Sequence, residues 1–375
     1  MIYFDNAATT RIKPPKVYEA FMYFVHEIGT SPGRGSYKLG IQASRMLYQS
    51  RKSLATHFGA AEKTNVVFTK NSTEAINLFA NGYLSKGDHV LISPYEHNAV
   101  LRPIHMLKLK GLIDYTVLPE EAINRPDEML ASFIKPNTRV AMITLASNLT
   151  GQIIFSSALG AALQQHNVKV FVDASQGGGK GLVDMQRDHI DYLAFTGHKD
   201  LYGLPGVGGL CATQKFSFPP LIQGGTGIYG DNYTNPDVFP EAYEAGTLNM
   251  PAIWALKSAV DHINLHRDEI CERENELLEK IMNGLSSLDH VLIYKRECRR
   301  VPTFCFNIEG IPSSDVVARL DEAGVCVRGG IHCAILAHEA LGTVEKGAVR
   351  VSLNYLNTEQ EIDYFLETVG KMKCT

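Results

Sequence analysis

The chain lacks a cationic start followed by an apolar stretch, running directly into Ile2-Tyr-Phe-Asp-Asn-Ala-Ala-Thr-Thr10, so export is not expected. No run approaches the roughly 18 apolar residues that a spanning helix needs, and no membrane partner is expected. Basic charge is not in excess either: 36 Lys and Arg stand against 40 Asp and Glu, a formal charge of -4. Nucleic acid and anionic lipid are poor partners for such a balance. Its seven cysteines are odd in number and irregularly spaced, with no Cys-x-x-Cys pair. They read as free thiols in a reducing compartment, and a cytoplasmic location is the expectation. Internal repeats and low-complexity tracts are also missing.

What is present is an alternation of helix-like and strand-like segments from about residue 40, the mark of an α/β domain with a mostly parallel sheet. Residues 43–58 read as a helix, and 65–69, 89–93, 139–145, 168–172, 192–195 and 207–212 as short apolar strands covered on both faces. At 375 residues two domains are expected. The texture changes after Phe216-Ser-Phe-Pro-Pro220, and glycine-rich loop sequence runs to about Thr247. Residues 252–261 and 267–288 then read as helices, 301–308 and 325–328 as strands with a helix over 315–322 between them, and 359–372 as a closing helix. The division expected is a large domain over 1–250 and a smaller α+β domain over 251–375, with the segment of about 1–20 packing against the small domain.

Chemistry concentrates in a few places. Phe171-Val-Asp173-Ala-Ser-Gln176 delivers a carboxylate at a strand end, and Tyr192-Leu-Ala-Phe-Thr-Gly-His-Lys199 delivers a lysine about 26 residues later. An isolated lysine is ordinarily a solvated surface group. This one follows an apolar run and precedes the glycine-rich Leu201-Tyr-Gly-Leu-Pro-Gly-Val-Gly-Gly209, where backbone can pack closely. A lysine that can hold an aldehyde, paired with an anion that keeps a ring nitrogen protonated, is what pyridoxal 5'-phosphate requires. By itself the Ser72-Thr73 turn is a helix cap; coupled to that pair it becomes a cradle for a phosphate. His97, just past a strand end, is placed either to stack on a ring and move protons or to serve as a satisfied structural histidine. Val327-Arg-Gly-Gly-Ile-His-Cys-Ala334 describes a loop that presents a thiol beside an imidazole. Zinc on His332, Cys333 and His338 would need a second paired set that the sequence does not supply, so no metal is expected.

The ordered set Tyr3–Thr10, Ser72-Thr-Glu-Ala-Ile-Asn77, Glu96-His-Asn98, Ser147-Asn148, Val172-Asp-Ala-Ser-Gln176, Thr196-Gly-His-Lys199, Glu244-Ala-Gly-Thr247, Arg328-Gly-Gly-Ile-His-Cys333 and Asn357-Thr-Glu359 resembles the class V aminotransferase-fold enzymes. Within them it is similar to the cysteine desulfurase and selenocysteine lyase group. The resemblance implies the type I fold of pyridoxal phosphate-dependent transferases, with a seven-stranded, mostly parallel sheet and a smaller C-terminal domain.

It also implies roles. Lys199 would hold the cofactor's aldehyde, Asp173 the ring nitrogen, and His97 would stack on the ring. Asn148 and Gln176 would contact the phenolic oxygen, Asn148 also meeting substrate, and Ser72, Thr73, Thr196 and His198 would serve the phosphate. Thr247 would reach the neighbouring subunit's cofactor, which implies a homodimer. Arg350 would grip the substrate α-carboxylate, and Cys333 would take sulfur from L-cysteine as a persulfide for an acceptor, with alanine as product. Ile331 replaces the first of two adjacent histidines found in one large subgroup, and Ile335 stands where relatives commonly have proline. The short cysteine segment resembles the compact-loop subgroup and leaves L-selenocysteine open as substrate. Behind a selenocysteine lyase stand a carbon-sulfur β-lyase and a transaminase; a non-enzymatic interaction protein of the same fold is the alternative of a different class.

Overall fold

The structure, a computed structural model, describes residues 1–33, 35–60 and 65–372. After β1 (Ile2–Tyr3) come helices α1 (Pro15–Tyr23) and α2 (Lys38–His57). Strands and helices then alternate through β2 (Val66–Thr69), α3 (Ser72–Tyr83), β3 (Asp88–Ile92), α4 (Asn98–Leu109) and β4 (Ile113–Val117). Two short helices, α5 (Glu120–Asn124) and α6 (Pro126–Met129), lead to β5 (Thr138–Thr144), α7 (Ser157–Gln165), β6 (Lys169–Asp173), β7 (Tyr192–Thr196) and β8 (Gly208–Ala212).

These strands form one seven-stranded sheet in the order β2-β8-β7-β6-β5-β3-β4. β4, β3, β5, β6 and β7 run parallel, and β8 is antiparallel to both its neighbours. Because β8 reverses the direction on each side, β2 points the same way as β7. The carboxyl ends of β2, β3, β5, β6 and β7 therefore open on one edge, the place where open α/β sheets bind ligands. Alternation along the strands splits the core in two. Val67, Val90, Ile92 and Phe171 face the α3 and α4 layer, while Val66, Leu91, Val170 and Val172 face the opposite one.

The expected seven-stranded, mostly parallel sheet is what the chain forms. Six strands are legible in the sequence and β4 is the seventh, an edge strand whose Asp114 is exposed. The glycine pair in β8 has a steric reason. A Cβ on Gly208 would lie 2.7 Å from the Asn71 backbone, and one on Gly209 would lie 2.5 Å from the Val67 carbonyl. Side chains there would push the β2-α3 turn off the sheet.

The long helix α8 (Met250–Ser286) joins the two stretches read from sequence as separate helices, and the gap between them becomes a non-helical kink at His266. Its first half packs Ile253 and Leu256 into the large core; its second half packs Leu277 and Ile281 beside Phe365. Beyond it lie β9 (Val291–Ile293), β10 (Thr303–Ile308), α9 (Ser313–Glu322), β11 (Val325–Cys326), β12 (Arg328–Gly330), α10 (Ile335–Leu341), β13 (Ala348–Ser352) and α11 (Glu359–Gly370). The strand read over 325–328 divides, because β11 pairs with β1 whereas β12 joins the antiparallel sheet β12-β13-β10-β9. The N-terminal segment threads between the two sheets: Asp5 bridges Ser352, and Thr10 N–H donates to the His198 carbonyl at 3.0 Å. Among the described residues no helix is long and apolar enough to cross a membrane.

Candidate active site

A cavity of 220 Å³ opens at the carboxyl edge of the large sheet. Each strand ending there contributes to its wall: Ser72 and Thr73 after β2, His97 after β3, Asn148 after β5, Asp173 and Gln176 from β6, and Thr196, His198 and Lys199 from β7. The nine residues come from positions up to 127 apart in sequence and meet because parallel strands all finish on one edge.

At one end stands the α3 N-terminus. The Asn71 side chain caps it by accepting from Glu74 N–H at 3.0 Å, which leaves the Ser72 and Thr73 amides without partners among the described residues. Thr196 Oγ1 and His198 Nδ1 are also buried without partners among the described residues. An anion with several acceptor oxygens matches that set. Asn148 Oδ1 is a further unpartnered atom on the wall, and its amide donates to the His332 carbonyl at 2.8 Å. Gln176 turns its amide to the Ala7 carbonyl at 2.8 Å, so the N-terminal segment fixes one side of the cavity.

Asp173 is 2% exposed, and its Oδ1 accepts from Ser175 Oγ at 2.5 Å and Ser175 N at 3.0 Å. Burial pushes this carboxyl above its ordinary range, while the Ser175 hydrogen bonds and the Lys199 ammonium pull it back. A protonated ring nitrogen would add the missing counter-charge. What surface Lys199 exposes faces the cavity, and burial lowers its pKa against the opposing pull of Asp173. His97 caps α4, its Nδ1 accepting from Ala99 N–H at 3.0 Å, which puts the ring proton on Nε2. Burial, with the charges of Lys199, Arg328, Arg350 and Arg102, holds it down to about 4, so the imidazole is neutral across the physiological range.

Cys333 lies outside this cavity wall, at the mouth of a neighbouring groove that shares Thr73 and His97 with it. Its loop is strained: His332 and Cys333 both take left-handed backbone angles, with φ of 55° and 57°. Two hydrogen bonds hold it, from Asn148 Nδ2 to the His332 carbonyl and from Asn98 N–H to the Cys333 carbonyl, both 2.8 Å. Arg350 is 1% exposed and stands behind Asn148, donating from Nη1 to its carbonyl at 3.0 Å and pairing through Nη2 with Asp5, while Nε has no partner among the described residues. Thr247 is not brought to the cavity. It lines a separate cleft with Thr69, Lys70 and Glu244, the last held by a buried ion pair to Arg51.

A family model described as Aminotransferase class-V matches residues 2–365. The chain belongs to that family. A probable cysteine desulfurase from Methanothermobacter thermautotrophicus is 33% identical over 380 residues, covering 99% of this chain and 94% of the relative. A cysteine desulfurase from Salmonella agona is 31% identical, covering 97% and 91%. Among solved structures, the apo cysteine desulfurase from Thermococcus onnurineus superposes with a TM-score of 0.87 at 30% identity, covering 99% of this chain and 94% of the other.

Three residues of this class V aminotransferase site escape the sequence reading. Ser175 left a signal, its place two residues after Asp173, where a hydroxyl and amide turn back on a carboxylate. Asp5 left none, since its partner is 345 residues away. Glu96 is the third. It is wholly buried; Oε1 accepts from Ser93 Oγ at 2.6 Å and Thr144 N–H at 2.7 Å, and Oε2 has no partner among the described residues. Burial, reinforced by Asp173, raises it from 4.5 to about 8.

Between pH 4.5 and about 8 the folded state therefore keeps a proton that the unfolded chain has lost, and stability contributed at this site falls as pH rises. Glu96→Gln is expected to flatten that decline. Urea midpoints of both proteins across this window check it; parallel slopes would contradict a protonated Glu96.

Proposed function

We propose that the chain is a pyridoxal 5'-phosphate-dependent cysteine desulfurase, a cytoplasmic homodimer that converts L-cysteine to L-alanine and carries the sulfur on Cys333. The observation that carries this reading is the convergence of Lys199, Asp173 and His97 on one cavity whose neighbouring groove holds Cys333. Its relatives named cysteine desulfurase, matched over nearly the full chain, support it.

When bound, the cofactor supplies an electron sink that makes the α-proton of an amino acid acidic. The Ser72 and Thr73 amides, Thr196 and His198 would hold its phosphate, Asp173 would keep the proton on its ring nitrogen, and His97, a neutral imidazole, would pack against its ring. Asn148 and Gln176 would meet its phenolic oxygen, and Thr247 would serve the partner subunit's phosphate. Arg350 binds the substrate carboxylate, which takes over the counter-charge that Asp5 supplies in its absence. Lys199 accepts the α-proton at Nζ, a task that its lowered pKa suits. Cys333 Sγ attacks the substrate Sγ. The new S–S bond forms as the Cβ–S bond breaks, the bonding pair stays with Cβ, and Cβ takes up a proton.

Incubating the holoenzyme with L-cysteine and a reducing thiol is expected to give alanine and sulfide in equal amounts. Pyruvate with ammonia would mean β-elimination, and a keto acid would mean transamination. No product from cysteine, selenocysteine or cysteine sulfinate would leave a non-enzymatic protein of this fold.

A further inference from the structure

From Cys333 a groove of 510 Å³ follows helix α4 outward, with α3 as its other wall. Its chemistry is one-sided. Arg102 and Lys110 line it from α4, Asn77 and Asn81 from α3, and no carboxylate lines it. The stretch Asn98–Lys110 carries Arg102, His105, Lys108 and Lys110 without one Asp or Glu, in a chain whose formal charge is -4. Lys108 is neutralised by Asp114 at 2.7 Å, but Arg102 and Lys110 have no ion-pair partner among the described residues. Met106, half exposed, adds a soft apolar contact midway. From Asn98 to Lys110 the helix rises about 18 Å, the span of roughly five residues of extended polypeptide. That is too long for a single small thiol.

The geometry points to this groove as the docking track of the sulfur acceptor, a polypeptide that presents a thiol to Cys333 and carboxylates to Arg102 and Lys110. The inference rests on the desulfurase reading above. In the transfer the acceptor thiolate attacks the outer sulfur of the Cys333 persulfide, the S–S bond breaks, and Cys333 leaves as a thiolate. The sulfur atom moves without net oxidation or reduction, and the acceptor becomes the persulfide. The Asn98 N–H bond to the Cys333 carbonyl fixes the donor at the head of the track, and opposite charges along it set the acceptor's register and speed its arrival.

Synthetic heptapeptides test this: one with a single cysteine followed by aspartates, and a twin with asparagines instead. The holoenzyme is first loaded with L-cysteine and its alanine counted, then the rate of sulfur transfer per loaded Cys333 is measured for each peptide. The acidic peptide is expected to react roughly tenfold faster at low ionic strength, with the advantage shrinking in high salt. In Arg102→Glu/Lys110→Glu the preference is expected to reverse, and in Arg102→Gln/Lys110→Gln to vanish. Equal rates in the parent, or a preference that survives both substitutions, would overturn the docking track. So would a raised KM for cysteine in the variants without change in transfer, since the groove would then be the substrate entrance. Absence of alanine in the loading step is the separate failure, that of the desulfurase reading itself.

Discussion

Lys199→Ala is expected to lose L-cysteine turnover by at least about a thousandfold while the protein remains folded. Lys199 is the one amine on the cavity wall among the described residues, facing a space already shaped by Asp173, His97 and the α3 N-terminus. No neighbour can replace it as the proton acceptor: the imidazole of His97 has its Nδ1 committed to Ala99 N–H, and burial of His198 lowers its pKa to about 4, which makes it a feeble base. Hydride reduction followed by denaturation separates chemistry from folding. The parent should keep the cofactor covalently attached and the variant should release it; added methylamine should restore part of the lost rate. Retention of cofactor by the reduced variant would remove Lys199 from the role given to it.

The second large effect falls on Cys333. Cys333→Ala is expected to keep the bound cofactor and its response to L-cysteine, yet to lose desulfuration by at least about a hundredfold. In the proposed reaction Lys199, Asp173 and Arg350 activate the amino acid, and among the described residues Cys333 is the one thiol lining the groove beside the cavity: Cys211 and Cys305 are wholly buried inside strands, where burial pushes Cys211 above the ordinary thiol range and Cys305 up to about 12. With L-selenocysteine the loss should be much smaller, because a weaker carbon-chalcogen bond needs less help from a nucleophile. A loop thiol that merely fills space would lower both activities equally, together with thermal stability. That pattern, or a persulfide label found on Cys326 instead, would reassign the sulfur-carrying residue.

The cavity was legible in the sequence to the extent that its residues follow strand ends. Asp173 and Lys199 each close a short apolar run, and Ser72 opens a helix after one, so a one-dimensional pattern sufficed to place them on a common edge. Strand β4 was not legible: Ile113-Asp-Tyr-Thr-Val117 is an edge strand with exposed Asp114 and Val117, and its interruption by charge hides the apolar run. Helix α4 was hidden by Pro103, which reads as a break but here sits within the helix. The kink at His266 explains why one helix reads as two. Arg350 was recognisable only by resemblance, and its tie to Asp5 not at all, because pairing over 345 residues leaves no periodic trace. The Glu96 carboxyl is invisible for another reason, since a buried acid and a solvated one are spelled the same.

The threading of the N-terminal segment between the two sheets bears on the order in which the molecule can assemble. Ile2 pairs with Val325, Asp5 with Arg350, and Thr10 with His198, so beyond a local turn in which Ala8 N–H donates to the Asp5 carbonyl the first ten residues wait for partners hundreds of positions later. The seven-stranded sheet closes with strands that all lie between residues 66 and 212, whereas the Arg350–Asp5 pair requires a loop of more than 300 residues to close. Contacts of such sequence separation form late, after their entropic cost has been offset by structure already in place. A nascent chain would thus own the sheet edge that carries the cavity well before the N-terminal segment and the Arg350–Asp5 pair close over it, and the completed site becomes a readout of the last step of folding rather than of the first.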